Sequence, residues 1–135
     1  MKYRAESAEP DHSSPLEPMD YVLLKTKLQQ WMIRVSSIRM VQAQGHATIV
    51  GLEGDESVLV GRWFATWQKQ LPAKMFLRVS RGLLVNLTYV VRLEAVTKES
   101  ARLIFDGRSL PIELSRLEAA WVRKALGPGS PADRE

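Results

Sequence analysis

The chain has 135 residues, 45% hydrophobic and 25% charged, enough for one ordinary domain with a buried core. It contains no Cys and two His, which excludes disulfides, thiolate catalysis and Cys-ligated metal and leaves little for a His-based metal site. The net charge of +4 divides unevenly: residues 20–126 hold 16 Lys+Arg against 9 Asp+Glu, or +7, and the two ends together carry −3.

A basic core of this kind fits a polyanionic partner, and it also fits a well-solvated surface. No apolar run approaches the roughly 20 residues that span a bilayer. The opening MKYRAESAEP lacks the apolar stretch of a signal peptide. The expected location is therefore cytoplasmic.

Residues 1–19 place Pro10, Pro15 and Pro18 among Glu, Asp and Ser. They carry neither a helical nor a strand period and read as a disordered acidic lead. The folded domain is expected over 20–126. It opens with short apolar runs: Tyr21–Leu24, Trp31–Val35, Ile38–Ala43, Ala47–Leu52 and, after a turn at Glu53-Gly54-Asp55, Ser57–Val60. Each is too short for a helix and rich in Val, Ile and aromatics, which suit a pleated, half-buried surface.

Arg62–Leu71 breaks that pattern. Trp63, Phe64, Trp67 and Leu71 recur at helical spacing and predict a helix with one buried stripe, stopped by Pro72. In the segment Met75–Asn86, Phe76 and Val79 read as core-facing. Arg78, Ser80 and Arg81 read as exposed on a short connection flanked by Gly82. Asn86 reads as structural, bonding turn backbone.

Val90–Val96, Ala101–Phe105 and Arg108–Leu114 predict three further strands, the last two joined at Asp106-Gly107, a strong hairpin signal. Pro111 cannot donate to a ladder, which puts the last strand at an edge or a bulge. Ser115 and Glu118 have the spacing of a capping box and open a second helix. Leu117, Trp121 and Val122 are expected to form its apolar face, with Gly127 and Pro128 as its stop. Residues 127–135 read as a disordered tail.

No catalytic arrangement emerges. There is no nucleophile elbow, no phosphate-binding loop and no dinucleotide fingerprint. The expectation is a protein that is not an enzyme, with no cofactor, no metal and no small-molecule substrate. Two guanidiniums near Gly82 suit phosphate or the O6/N7 edge of guanine, and equally suit weak surface ion pairs.

The run Phe76-x-Arg78-Val79-Ser80-Arg81-x-x-x-Val85-Asn86 resembles the F-x-R-V-H-R-S-x-x-V-N signature of LytTR-type DNA-binding domains. Pro111–Arg116 is similar to that family's closing strand-to-helix element. Gly61–Leu71, followed by Pro72, is similar to its internal helix. The resemblance runs from about Tyr21 to Leu126. It implies a mainly β fold: an elongated arrangement of small antiparallel sheets with one internal helix and one C-terminal helix. It also implies a transcription regulator that inserts loops into successive major grooves of double-stranded DNA.

Carried over by position, the resemblance makes His46, in the loop between two early strands, and Arg81, in the signature turn, base-reading residues. Arg78 and Ser80 become backbone contacts, and Ser115 and Arg116 the contact at the last helix start. Ser80 replaces the family's usual His, Gly82 its frequent Ser and Leu117 its frequent second Arg. The implied target is promoter DNA with direct repeats, half-sites about one helical turn apart. A homodimer on DNA and a regulatory protein partner accompany that reading. With 19 residues ahead of the domain, no receiver domain fits, and either a stand-alone regulator or a fragment of a longer chain is expected. Two other readings stay open: an interaction module of the same fold with weakened DNA binding, and an OB-like single-strand nucleic-acid binder.

Overall fold

A computed structural model describes residues 15–106 and 111–126. The strands are β1 (Tyr21–Lys25), β2 (Gln30–Arg34), β3 (Ile38–Gln44), β4 (Ala47–Leu52) and β5 (Ser57–Val60). After helix α1 (Phe64–Gln70) come β6 (Phe76–Ser80), β7 (Leu83–Asn86), β8 (Val90–Ala95), β9 (Ser100–Phe105) and β10 (Ile112–Ser115). Helix α2 (Arg116–Leu126) closes the domain. The expected fold class is observed: small antiparallel sheets with an internal and a C-terminal helix.

There are three sheets: β1-β2, the five-stranded β5-β4-β3-β7-β6, and β10-β9-β8. The five-stranded sheet buries one face along its whole width and the other only at its β7-β6 end, since Gln42 and Leu59 stay exposed on that second face. One face contributes Val41, Val50, Val58, Val60, Phe76 and Leu84 to a core shared with Val22 and Leu24 of β1 and Trp67 of α1. The other contributes Val79 and Val85 to a second core with Leu103, Phe105, Ala119 and Val122. Strand alternation at two-residue period, apolar on both sides, is what lets one sheet serve two cores.

Several junctions follow from side-chain chemistry read in the sequence. Buried Asn86 donates from its Nδ2 to the Ile38 carbonyl at 2.8 Å, and its Oδ1 accepts from the Thr88 N–H at 2.9 Å. The capping box is present: the Ser115 N–H donates to Glu118 Oε1 at 2.9 Å, and the Glu118 N–H donates to Ser115 Oγ at 3.2 Å. Pro111 directly precedes β10, an edge strand, where a missing donor costs nothing.

Four expectations change. Residues 15–19 were expected in the disordered lead, yet they are docked: the Leu16 N–H donates to the Gln70 carbonyl at 2.7 Å, and Ser36 N–H to that of Pro18 at 3.0 Å. The internal helix begins at Phe64, so Trp63 is its N-cap and leaves the buried stripe, 56% exposed. Helix α2 buries Ala119 and Val122, while Leu117 is 79% and Trp121 52% exposed. Of the predicted face Val122 turns inward as expected, but its companion there is the small Ala119 rather than Leu117 or Trp121, where the helix meets β6. Arg78 and Ser80 belong to β6, leaving only Arg81 and Gly82 between strands.

Residues 1–14, the Gly107 half of the expected turn, Arg108–Leu110 and the 127–135 tail with its Gly127-Pro128 stop lie outside the described residues. Among the described residues no helix is long and apolar enough to cross a membrane.

Candidate nucleic-acid interface

Three segments converge at one end of the five-stranded sheet. In the β3–β4 hairpin Gln44 faces Ala47, so Gly45 and His46 form a two-residue tip. Gly45 takes φ +62°, the left-handed region that a tight hairpin turn demands and glycine supplies without steric cost. His46 is exposed at this tip.

The β6–β7 turn is the neighbour of that hairpin. Gln42 pairs with Leu83, and the Ala43 N–H donates to the Gly82 carbonyl at 2.8 Å. The approach is close: a Cβ at Gly82 would stand 3.0 Å from the Ala43 Cβ. Gly82 in place of the family's Ser thus has a packing reason, because a hydroxymethyl group there would push on β3. Arg81, beside it, is exposed. The register of β5 on β4, with Val60 opposite Thr48, brings the chain out at the same end, where Trp63 follows. The Trp63 ring meets the His46 ring edge-on, centroids 4.7 Å apart and planes at 72°.

Arg78 is half-buried, and its guanidinium turns back along its own hairpin. Nε donates to the Ser80 carbonyl at 3.1 Å and Nη2 to the Arg81 carbonyl at 2.6 Å. A register shift between Arg78 and Ser80 bends β6 and aims those carbonyls at it. The guanidinium also lies 5.7 Å from the centre of the Phe64 ring. Ser80 is half-buried at the end of the strand.

The α1 connection is rigid. The buried Trp67 indole donates from Nε1 to Thr48 Oγ1 at 2.8 Å, pinning the helix to β4 two residues beyond His46. The Arg62 guanidinium stacks 4.4 Å over the Trp67 ring and donates to Gln70 Oε1 at 3.2 Å.

Ser115 and Arg116 stand on the other sheet, at the junction of β10 and α2. The Arg116 side chain is 75% exposed, with a 4.0 Å ion pair to an equally exposed Glu99. Such a pair is weak and leaves Arg116 available to another anion. Ser115 Oγ already accepts from the helix, and the Glu118 carboxylate occupies the place that a helix N-terminus offers to an anion. Arg102 is paired to Glu113 at 3.0 Å and Arg92 to Glu94 at 2.7 Å, so both are engaged on the third sheet. Among the described residues no three His, Asp or Glu side chains gather as a metal site.

The structure thus joins His46, Arg78, Ser80 and Arg81 in one region and leaves Ser115 and Arg116 on another. Trp63 and Phe64 are the residues that sequence reasoning did not assign to this region. The one signal for them was two consecutive aromatics just after Gly61-Arg62, at the exit of a strand.

The LytTr DNA-binding domain profile matches residues 29–127. The fold is similar to that of a LytTr DNA-binding domain from a Bacillus cereus protein described as a methyl-accepting/DNA response regulator. That match has 23% identity and a TM-score of 0.69, and covers 80% of this chain and 97% of the other. No curated relative matches the chain. Matched over most of its length by the family profile, with the signature turn and closing helix in place, the chain belongs to the LytTr DNA-binding domain family.

Proposed function

We propose that the chain is a sequence-specific regulator of transcription that binds double-stranded DNA through the loops at one end of its central sheet. The observation that carries this reading is the 2.8 Å bond from the Ala43 N–H to the Gly82 carbonyl, which fixes the His46 tip and the Arg81 turn as neighbours. Arg81 offers a planar fork to guanine O6 and N7, and His46 a donor to a purine edge. Ser80 lies at the foot of the same turn and supports a backbone contact.

Arg116, with Ser115 beside it, grips backbone phosphate in a neighbouring stretch of groove. Loops entering successive major grooves, and two copies on direct repeats about one helical turn apart, complete the picture. The reading needs no cofactor or catalytic step and carries a cytoplasmic site of action with it.

One observation favours the interaction-module reading. Leu117 and Trp121, four residues apart on α2, present an apolar pair to solvent at 79% and 52% exposure. The OB-like reading loses its support, because the five-stranded sheet is open, with β5 and β6 at its edges, and does not close into a barrel.

Selection from a random duplex pool at two salt concentrations tests the proposal. The expected result is one enriched motif whose preference at a single base pair is relaxed by Arg81→Ala. A wild-type selection without any enriched motif overturns it.

A further inference from the structure

We infer that Trp63 and Phe64 are positioning residues, a two-ring brace that aims His46 and the Arg81 turn at DNA as one unit. The inference rests on the DNA-reading role proposed for His46 and Arg81. It adds that their relative placement is set by a third segment, the exit of β5.

Each ring addresses one reading loop. Trp63 holds the His46 imidazole edge-on at 4.7 Å. Phe64 lies under the Arg78 guanidinium at 5.7 Å, and Arg78 in turn bonds the carbonyls of Ser80 and Arg81. Because the two aromatics are consecutive, one stretch of backbone fixes both. That backbone is itself anchored: the N–H groups of Thr66 and Trp67 donate to the Trp63 carbonyl at 3.1 and 3.3 Å, and Trp67 is bonded to Thr48.

Burial does not explain Trp63. At 56% exposure most of its surface gains little from the core, so its contact with His46 is the interaction that distinguishes its place. Stacking on bases does not explain it either, because bases inside a duplex present edges, not faces, to the major groove. An imidazole at a two-residue tip has free rotamers, and an edge-on aromatic neighbour removes most of them before DNA arrives. Preorganisation of this kind raises affinity without adding a contact.

The test uses the selected duplex, its single-base variants and the full chain. Trp63→Ala is expected to lower affinity roughly three- to tenfold and to erase discrimination at the one base pair that His46→Ala also erases. In the His46→Ala background it should add nothing, and Trp63→Phe should restore most of the loss. Phe64→Leu, which keeps apolar volume, should instead relax the base pair read by Arg81.

Without DNA, the His46 ring protons should shift in Trp63→Ala as the indole ring current is lost, while the melting temperature stays near wild type. Equal loss on every duplex, or full additivity with His46→Ala, overturns the brace, as does an unmoved His46 resonance. If His46→Ala leaves discrimination intact while the resonance moves, the base-reading role of His46 falls and the ring contact stands.

Discussion

The Nη2 of Arg78 donates to the carbonyl oxygen of Arg81 at 2.6 Å, three residues along the same hairpin. With Nε on the Ser80 carbonyl, the guanidinium closes the turn like a side-chain cap. A charge-assisted bond to a carbonyl is stronger than a neutral one, and two on one planar group fix direction as well as distance.

This changes what removal of Arg78 should do. A phosphate clamp would weaken binding on all sequences and lower the salt slope by about one unit. A turn lock should leave the slope unchanged and relax the base pair read by Arg81. Arg78→Ala is expected to behave as the lock. Arg78→Lys should not rescue it, because an ammonium cannot span two carbonyls in one plane. Binding isotherms over a salt series, on the selected duplex and its single-base variants, check this.

Glu118 provides the second prediction. Its carboxylate completes the cap of α2 beside Ser115 and Arg116, where a phosphate would also be drawn. Gln caps as Glu does but carries no charge. Glu118→Gln should therefore raise DNA affinity about two- to fivefold at low salt, an effect that fades at high salt. Unchanged affinity at low salt would place this helix start away from the DNA.

The third prediction concerns stability. Thr48 and Trp67 are both 0% exposed, and their 2.8 Å bond satisfies a buried indole N–H. Thr48→Val preserves shape and removes the acceptor, stranding that donor at a cost of about 1–3 kcal/mol. A drop of several degrees in melting temperature is expected, with Thr48→Ser much milder. A melting temperature equal to wild type would show that the bond contributes nothing.

What the sequence disclosed depended on how local the cause was. Ala47–Leu52 and Ser57–Val60 appear with the expected bounds, since alternation and flanking turns are written within a few residues. The capping box and Asn86 were legible for the same reason. Trp63 was misplaced because positions 63, 67 and 71 share a helical face only if the helix already runs at 63, and its N-cap is extended (ψ 146°). On α2, hydrophobicity pointed to Leu117 and Trp121, whereas close approach to the sheet selected the small Ala119. The fold of Arg78 onto its own turn depends on the shifted register at Ser80, and the need for Gly82 depends on Ala43, nearly forty residues earlier. Neither relation is local, so spacing alone could not reveal it.

The last prediction is an alkaline one. The Tyr89 hydroxyl lies 2.9 Å from Glu53 Oε2 and 3.1 Å from the Ser36 carbonyl, tying two 3-10 turns, Val35–Ser37 and Glu53–Asp55, to the start of β8. Burial first, then the hydrogen bond to Glu53 and its negative charge, push the phenol up to about 12. The Arg39 guanidinium, 5.1 Å over the ring, opposes this only in part. In the unfolded chain the phenol titrates near 10. Between these values the folded protein keeps a proton that the unfolded chain has lost, so unfolding releases it and stability falls as pH rises. The contribution is whole below about pH 10 and gone above about 12. Tyr89→Phe lacks the group, so its deficit against wild type should be constant from pH 7 to 9 and shrink above 10. Melting curves over that range check the gap, and absorbance at alkaline pH should show one phenol titrating late in wild type and not in the variant. A gap that stays constant above pH 10 would mean that the hydroxyl ionises freely in the folded domain.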